Sequence, residues 1–357
     1  MDFSRKLVLA DGTAIFGNGF GSGDEVIREV VFQTAKTGFQ DVLTDPDYYK
    51  QIVVVTQAIN YNDEILKDNY DELQGASALI VSKYYDAPSD LRPSKSVDGF
   101  LKEKNIPGLC DIDTDALIKK IREDGVMYGI IVDADVSDDL ALVKLTAAPY
   151  VTNHVKQVSP KKASLVEVEN KKYRVAFIAF TAKRGIVKEL TSRNCEVVIL
   201  PYNASIEEIE SYEPDGVVFS SGPGDPLDLP ELSPVIRAVQ AKFPMFGVCL
   251  GHQLFAIANG AQTSKMKYGH RAEDMPVKDI ATGKILTTFQ NHGYHVDPDS
   301  LKGTDLEITQ YAVDDGSIEG LKHKKHPAFT VQYHPESNPE PPDSNYLFDQ
   351  FVESLER

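Results

Sequence analysis

The spacing of apolar residues changes part-way along the chain. From residue 173 onward, short runs with little polar interruption alternate with stretches of helical period. The runs are YRVAFIAF (173–180), CEVVILP (195–201), GVVFSS (216–221) and PMFGVC (244–249). The helical stretches are RGIVKELTSRN (184–194), PVIRAVQAK (234–242) and HQLFAIANG (252–260), the last ending on Gly260. A continuous apolar run suits a strand buried on both faces, so this half predicts an α/β domain with a mainly parallel central sheet covered on both sides. Residues 1–150 read differently. Short β-rich runs dominate there (KLVLADGTAIFG, EVVFQT, QIVVVTQ, SALIVSKYY, YGIIVDA), with few helical patches. The clearest patch is TDALIKKIRED, where Asp113 or Thr114 can cap the helix and Leu117, Ile118 and Ile121 form one apolar face. This half predicts a β-rich α+β domain. Between the halves, 151–172 is polar, with a Ser-Pro and paired lysines, and reads as a linker. The expected division is therefore 1–150, a linker 151–172, and 173–357.

Composition narrows the function classes. The net charge is −17, with the acidic residues spread along the chain. Nothing in such a balance offsets phosphate repulsion, so neither nucleic acid nor an anionic membrane is expected as a partner. Three scattered cysteines (Cys110, Cys195, Cys249) make no disulfide framework and fit a reducing compartment. No apolar run reaches the roughly 18 residues of a membrane span, and no signal segment is evident. The expectation is a soluble, cytoplasmic protein.

Some patterns invite functions they cannot carry. GNGFGSG (17–23) misses the dinucleotide fingerprint, because Ser22 and Asp24 stand where glycine is needed; a turn or hairpin is the simpler expectation. TGKI (282–285) has Ile285 where a phosphate-binding loop needs Ser or Thr. His323 and His326 in HKKHP lack a completing set of metal ligands and read as a basic turn, so no metal is assigned. Cys110 and Cys195 bound apolar runs and read as core thiols.

Cys249 is different. It lies between an apolar strand and a helical stretch, with Gly247 two places before it and Gly251 two places after. This is the layout of a nucleophile elbow, a turn so tight that flanking side chains must be absent. The helix N-terminus that follows favours an anionic sulfur. A nucleophilic cysteine needs a base and the base an orienting partner. FTVQYHPES (329–337) supplies both: in extended chain His334 and Glu336 point the same way, and Glu336 can fix the imidazole of His334. Acyl chemistry also needs an oxyanion site. The N–H of Leu250 is one donor by elbow geometry, and the loop in VVFSSGPGDP (217–226), with Gly222 and Gly224, can bring a second.

Taken in order, SSGPGDP, GVCLGHQ and YHPE resemble the class I, triad-type glutamine amidotransferases. KMKYGH (265–270) and QNHGYHV (290–296) look, more narrowly, like the small subunit of glutamine-hydrolysing carbamoyl-phosphate synthetase. In the N-terminal half LVLADGTAIFG, EVVFQTAKTGFQDVLTDPDYYKQIV and IPGLCDIDTDALIKKIREDG resemble that subunit's own first domain, so the resemblance spans essentially the whole chain. It implies Cys249 as nucleophile with His334 and Glu336 completing the triad. It implies L-glutamine bound by Gly222, Gly224, Leu250, Gln253, Asn291, Gly293 and Tyr294, through a γ-glutamyl thioester on Cys249. It also implies a first domain that docks on a large synthetase subunit. That partner would take the ammonia and, with bicarbonate, ATP and Mg, make carbamoyl phosphate for arginine or pyrimidine synthesis. No cofactor is implied in this chain, and a higher oligomer of heterodimers is compatible with the resemblance.

Four places depart from the family pattern. Asp47 replaces a serine that helps bind glutamine, and the segments 57–64, 179–186 and 269–277 lack usual glycines or polar residues. They bear on glutamine affinity or large-subunit docking. Two other readings of the same residues are a stand-alone γ-glutamyl hydrolase and a non-catalytic regulatory paralogue.

Overall fold

The computed structural model describes residues 3–34, 39–60, 75–85, 96–181, 183–337 and 343–356. The chain forms two units, Met1–Val151 and Thr152–Arg357. Strands of the first unit are β1 (Arg5–Leu9), β2 (Ala14–Gly21), β3 (Val26–Gln33), β4 (Gln51–Val55), β5 (Ile59–Asn60), β6 (Ala78–Val81), β7 (Tyr84–Tyr85), β8 (Pro107–Cys110) and β9 (Met127–Asp133). Seven of them close into a barrel in the order β1-β2-β8-β6-β4-β3-β9, while β5 and β7 pair separately. Closure removes the exposed strand edges that an open sheet would leave. Alternate residues of β4 and β6 serve different cores. Val53, Val55, Leu79 and Val81 pack with Phe39, Val42, Val97 and Phe100; Ile52, Val54, Ala78 and Ile80 pack in a cluster with Leu117, Ile118 and Ile121. The last three come from the helix Thr114–Asp124, capped by the Asp113 side chain on Ala116 N–H, as the spacing predicts.

Of the turn or hairpin expected at 17–23 the structure shows the hairpin: most of the stretch lies in β2, which pairs antiparallel with β1. Its glycines at 17, 19 and 21 answer to crowding, since a Cβ at Gly17 would lie 2.4 Å from the Cys110 carbonyl oxygen, one at Gly19 2.6 Å from Arg5 Cδ and one at Gly21 2.5 Å from the Ile106 carbonyl oxygen.

In the second unit a ten-stranded sheet runs in the order β10-β12-β11-β13-β14-β19-β18-β17-β15-β16. These strands are β10 (Ser164–Val166), β11 (Tyr173–Ala179), β12 (Cys195–Pro201), β13 (Gly216–Phe219), β14 (Met245–Val248), β15 (Thr263–Asp279), β16 (Ile285–Val296), β17 (Leu306–Ala312), β18 (Ile318–His323) and β19 (Ala328–Val331). The central strands β12, β11, β13, β14 and β19 are parallel. Both faces are covered, and the covering follows the alternation of the strands. Ala176, Ile178, Val217 and Phe219 join a core with Ile236, Val239 and Leu254. Val175, Phe177, Val218 and Phe246 join another with Ile186, Leu190, Phe348 and Phe351. Each Val, Leu, Ile or Phe side chain so removed from water contributes about 1.5–3 kcal/mol.

The centre of the sheet is parallel, as expected, and the sheet extends beyond it. It continues antiparallel through β18, β17, β15 and β16, so the whole sheet is mixed. The polar stretch 151–172 also holds more structure than a linker needs. It contains the helix His154–Val158, with Val155 and Val158 buried, and β10, which pairs antiparallel with β12. No helix among the described residues is long and apolar enough to cross a membrane.

Candidate active site

The strand β14 ends at Val248, and the helix Leu250–Ala258 begins two residues later with Cys249 at its N-cap position. Cys249 is the hinge of this turn, with φ 51° and ψ −101°, a conformation an ordinary L-residue adopts only under constraint. Backbone bonds supply the constraint. Cys249 N–H donates to Val331 C=O at 2.9 Å, Gly251 N–H to Ser220 C=O at 3.1 Å, and Gln253 N–H to Cys249 C=O at 3.1 Å. The glycines are required by space. A Cβ at Gly251 would meet the Phe219 carbonyl oxygen at 2.6 Å, and one at Gly247 would meet Thr330 Cγ2 at 2.8 Å.

His334 follows β19, where its N–H donates to Phe289 C=O at 2.9 Å and its ring packs edge-on to Phe289. Its Nδ1 lies 3.0 Å from Oε1 of Glu336, and both side chains are shut off from solvent. Gly185 leaves the room that the Glu336 side chain fills, since a Cβ there would lie 2.8 Å from Glu336 Cγ. Burial alone disfavours a charged imidazole, and Lys183 opposes it further. The Glu336 carboxylate and hydrogen bonds to Cys249 and Glu336 outweigh both, and His334 is pushed up to about 10. Burial raises the Glu336 carboxyl, but the imidazolium, its hydrogen bond and Lys183 hold it below its ordinary value. The arrangement is a charged pair with Cys249 within hydrogen-bond reach of the ring.

The residues expected to bind substrate gather around this pair in part. Cys249 Sγ lies 3.7 Å from the Asn291 carbonyl oxygen. Gln253 Nε2 donates to the Tyr294 carbonyl oxygen at 2.9 Å. Gly222 is pressed against Leu250, whose Cδ2 would be 2.8 Å from a Cβ there. Gly224, at φ +95°, backs onto His154, and Gly293 onto the guanidinium of Arg271. Asp47 belongs to the first unit, buried in the single 3-10 turn Pro46–Tyr48. Of the other departing segments, residues 61–64 and Ala182 lie outside the described residues.

Two side chains were not singled out from sequence. Lys183 places Nζ 3.2 Å from His334 Nδ1 and 3.8 Å from Glu336 Oε1. Gln332 accepts from Gln253 Nε2 at 3.1 Å. Strand alternation could have found Gln332, two places before His334; Lys183 carries no such signal.

One further cluster has the makings of a metal site: His270, His292 and Glu319 bring ligand atoms within 4.8 Å of one another. Its nitrogens are already engaged. His270 bonds Gln290 at 2.8 Å through Nδ1 and Asp315 at 3.0 Å through Nε2, while His292 Nε2 lies 3.0 Å from Gln290 and its Nδ1 2.8 Å from the Tyr294 carbonyl oxygen. Burial works against a charged His270, but Asp315 and Glu319 prevail and push it up to about 10. Burial keeps His292 neutral, well below its ordinary value. The cation of this cluster is the imidazolium of His270. Cys110 and Cys195 are buried free thiols, pushed by burial to about 12 and about 11, as suits core residues.

Comparison with known proteins places this geometry. Residues 178–354 match the family described as glutamine amidotransferase class-I, and residues 7–131 match the carbamoyl-phosphate synthase small chain, CPSase domain. The carbamoyl phosphate synthase small chain of Bacillus anthracis is 46% identical over 353 residues, covering 99% of this chain and 96% of that protein. The chain belongs to the carbamoyl phosphate synthase small-chain family. The namesake from Listeria monocytogenes serotype 4b (strain F2365) is 46% identical over 98% of this chain and 96% of its own length, and that of Bacillus caldolyticus 47% over 98% and 95%. Membership carries the class I amidotransferase domain, and the chain is a glutamine-hydrolysing subunit, as its motifs lead one to expect.

Proposed function

We propose that Cys249, His334 and Glu336 hydrolyse L-glutamine and that the ammonia released serves a large synthase chain. The observation that carries the reading is Cys249 at positive φ on the strand–helix junction, with a buried His334 whose proton affinity it raises and whose Nδ1 Glu336 holds. The sulfur, as thiolate, attacks the side-chain amide carbon of glutamine. The tetrahedral oxyanion is met by the N–H of Leu250 and an N–H of the loop at Gly222, groups already aimed and costing no reorganisation. His334, as imidazolium, gives its proton to the leaving nitrogen. Ammonia departs and a γ-glutamyl thioester remains on Cys249. His334, now neutral, takes a proton from water; the hydroxyl oxygen attacks the thioester carbon, and glutamate leaves as the sulfur electron pair returns to Cys249. Glu336 keeps the Nδ1 proton in place throughout.

Gly222, Gly224, Leu250, Gln253, Asn291, Gly293 and Tyr294 form the glutamine pocket in this reading. The relatives' name, small chain, supports a large-chain partner. ATP, Mg and bicarbonate chemistry belongs to that partner, and the first unit is the docking unit. Three cysteines that form no disulfide support a reducing, cytoplasmic setting. Acid quenching during turnover tests the chemistry: intact-mass analysis finds a γ-glutamyl adduct on Cys249 in the native chain and none in Cys249→Ser. Turnover without any adduct on Cys249 contradicts the reading.

A further inference from the structure

The elbow helix and the end of β19 face each other through two matched pairs. Cys249 and Gln253 are one helical turn apart, so both lie on the same side of the helix start. Gln332 and His334 lie two residues apart in the bend that follows β19. His334 is the partner whose proton affinity Cys249 raises, and Gln332 accepts from Gln253. Gln332 is completely buried, Gln253 nearly so, and the chemical steps above leave Gln332 without a part.

The polarity of the second pair is fixed from outside it. Gln253 Nε2 lies 2.9 Å from the Tyr294 carbonyl oxygen, and a backbone carbonyl can only accept. The nitrogen end of the Gln253 amide must therefore face Tyr294. Its second N–H goes to Gln332 Oε1 at 3.1 Å, so Gln332 in turn must present its oxygen. Both donors of Gln253 are spent, and its Oε1 is left as an acceptor only. Gln332 is anchored by its own N–H on the Glu319 carbonyl oxygen at 2.9 Å, and its Nε2 is buried without a hydrogen-bond partner among the described residues. A buried amide with an unmet donor is costly to keep, which sets it apart from ordinary packing.

We propose that Gln332 is a positioning residue for substrate selection: it locks the amide of Gln253 so that Oε1, an acceptor, meets the α-ammonium of glutamine. This rests on the reading of Gln253 as a glutamine contact. Without Gln332 the second N–H of Gln253 loses its acceptor, the amide can turn, and a donor can face the cationic ammonium.

The test compares native chain, Gln332→Met and Gln332→Glu with glutamine and with its analogue lacking the α-amino group, 4-carbamoylbutyrate. Alkylation of Cys249 by iodoacetamide reports independently on the elbow, and thermal unfolding on the fold. Gln332→Met is expected to raise KM for glutamine about tenfold or more, the scale of a lost hydrogen bond to a charged group, with kcat little changed. The preference for glutamine over the analogue falls by a similar factor. Gln332→Glu keeps an acceptor oxygen and restores most of that preference, and iodoacetamide reactivity is the same in all three. An unchanged preference in Gln332→Met, with both substrates losing equally, overturns the proposal. So does a Gln332→Glu variant that behaves like Gln332→Met while remaining folded. Failure of the underlying reading shows separately, as a Gln253→Met variant that keeps the native preference for glutamine over the analogue.

Discussion

Lys183 Nζ lies 3.2 Å from Nδ1 of His334, the same ring nitrogen that faces Glu336 Oε1 at 3.0 Å. One nitrogen cannot donate to the carboxylate and accept from the ammonium together. With its proton directed at Glu336, Nδ1 leaves Nε2 to serve the sulfur, and Lys183 becomes a second cation beside one carboxylate. Burial and Lys183 lower the proton affinity of the ring; Glu336 and Cys249 raise it and prevail.

The two neighbours therefore predict opposite pH effects. His334 must be charged when ammonia leaves, so the basic limb of the kcat/KM profile reports its deprotonation. In the native chain this limb lies well above neutrality, towards about 10. Glu336→Gln removes a group that raises the ring and moves the limb to lower pH, with kcat/KM down about a hundredfold or more. Lys183→Met removes a group that lowers the ring and moves the limb to higher pH. Profiles that shift the same way in both variants contradict this account of the site.

Crowding at the elbow predicts a stability cost. Gly251→Ala sets a Cβ 2.6 Å from a backbone oxygen, Phe219 O, which cannot swing aside. The variant is expected to lose about 1–3 kcal/mol by chemical denaturation, and its glutaminase activity with it. Gly23→Ala, where a Cβ meets nothing within 4 Å, is the control and should change stability by less than about 0.5 kcal/mol.

A third prediction concerns the pair His270–Asp315. His270 is raised to about 10 when folded, so its contribution is complete below the usual histidine value of about 6.5 and fades as pH rises through about 10. His270 leads the influences that hold Asp315 below its ordinary value, although burial opposes it. The Asp315 contribution is present above the usual carboxylate range, near 4, and is lost as pH falls. Asp315→Asn should lower Tm most between about pH 4 and 6.5, with the difference narrowing on either side. A Tm difference that is flat from acid to alkaline pH contradicts the pair's role.

The parallel centre and the elbow were legible because local pattern decides them. The alternating apolar residues of β11 serve two cores, and the Gly-x-Cys-x-Gly spacing meets a steric demand seen at Phe219 and Thr330. What the sequence left dark depends on pairing at a distance. Residues 265–276 of β15 are mostly polar and are buried only at 269–272, so no apolar run marked the antiparallel hairpin with β16. Gly17 of β2 gave no sign of its reason because that reason, the close approach of β8 at Cys110, lies some ninety residues further on. Lys183 reaches the triad from a loop whose sequence departs from the family pattern, and only the folded chain brings it to Glu336.

The central claim is best tested by glutamate release from glutamine, with the full-length chain alone, with a carbamoyl phosphate synthase large chain, and in both settings with Cys249→Ser. The account predicts slow release by the chain alone, faster release with the large chain, and a loss of about a thousandfold or more in the variant. Absence of hydrolysis in both settings, or hydrolysis that survives Cys249→Ser, would contradict it.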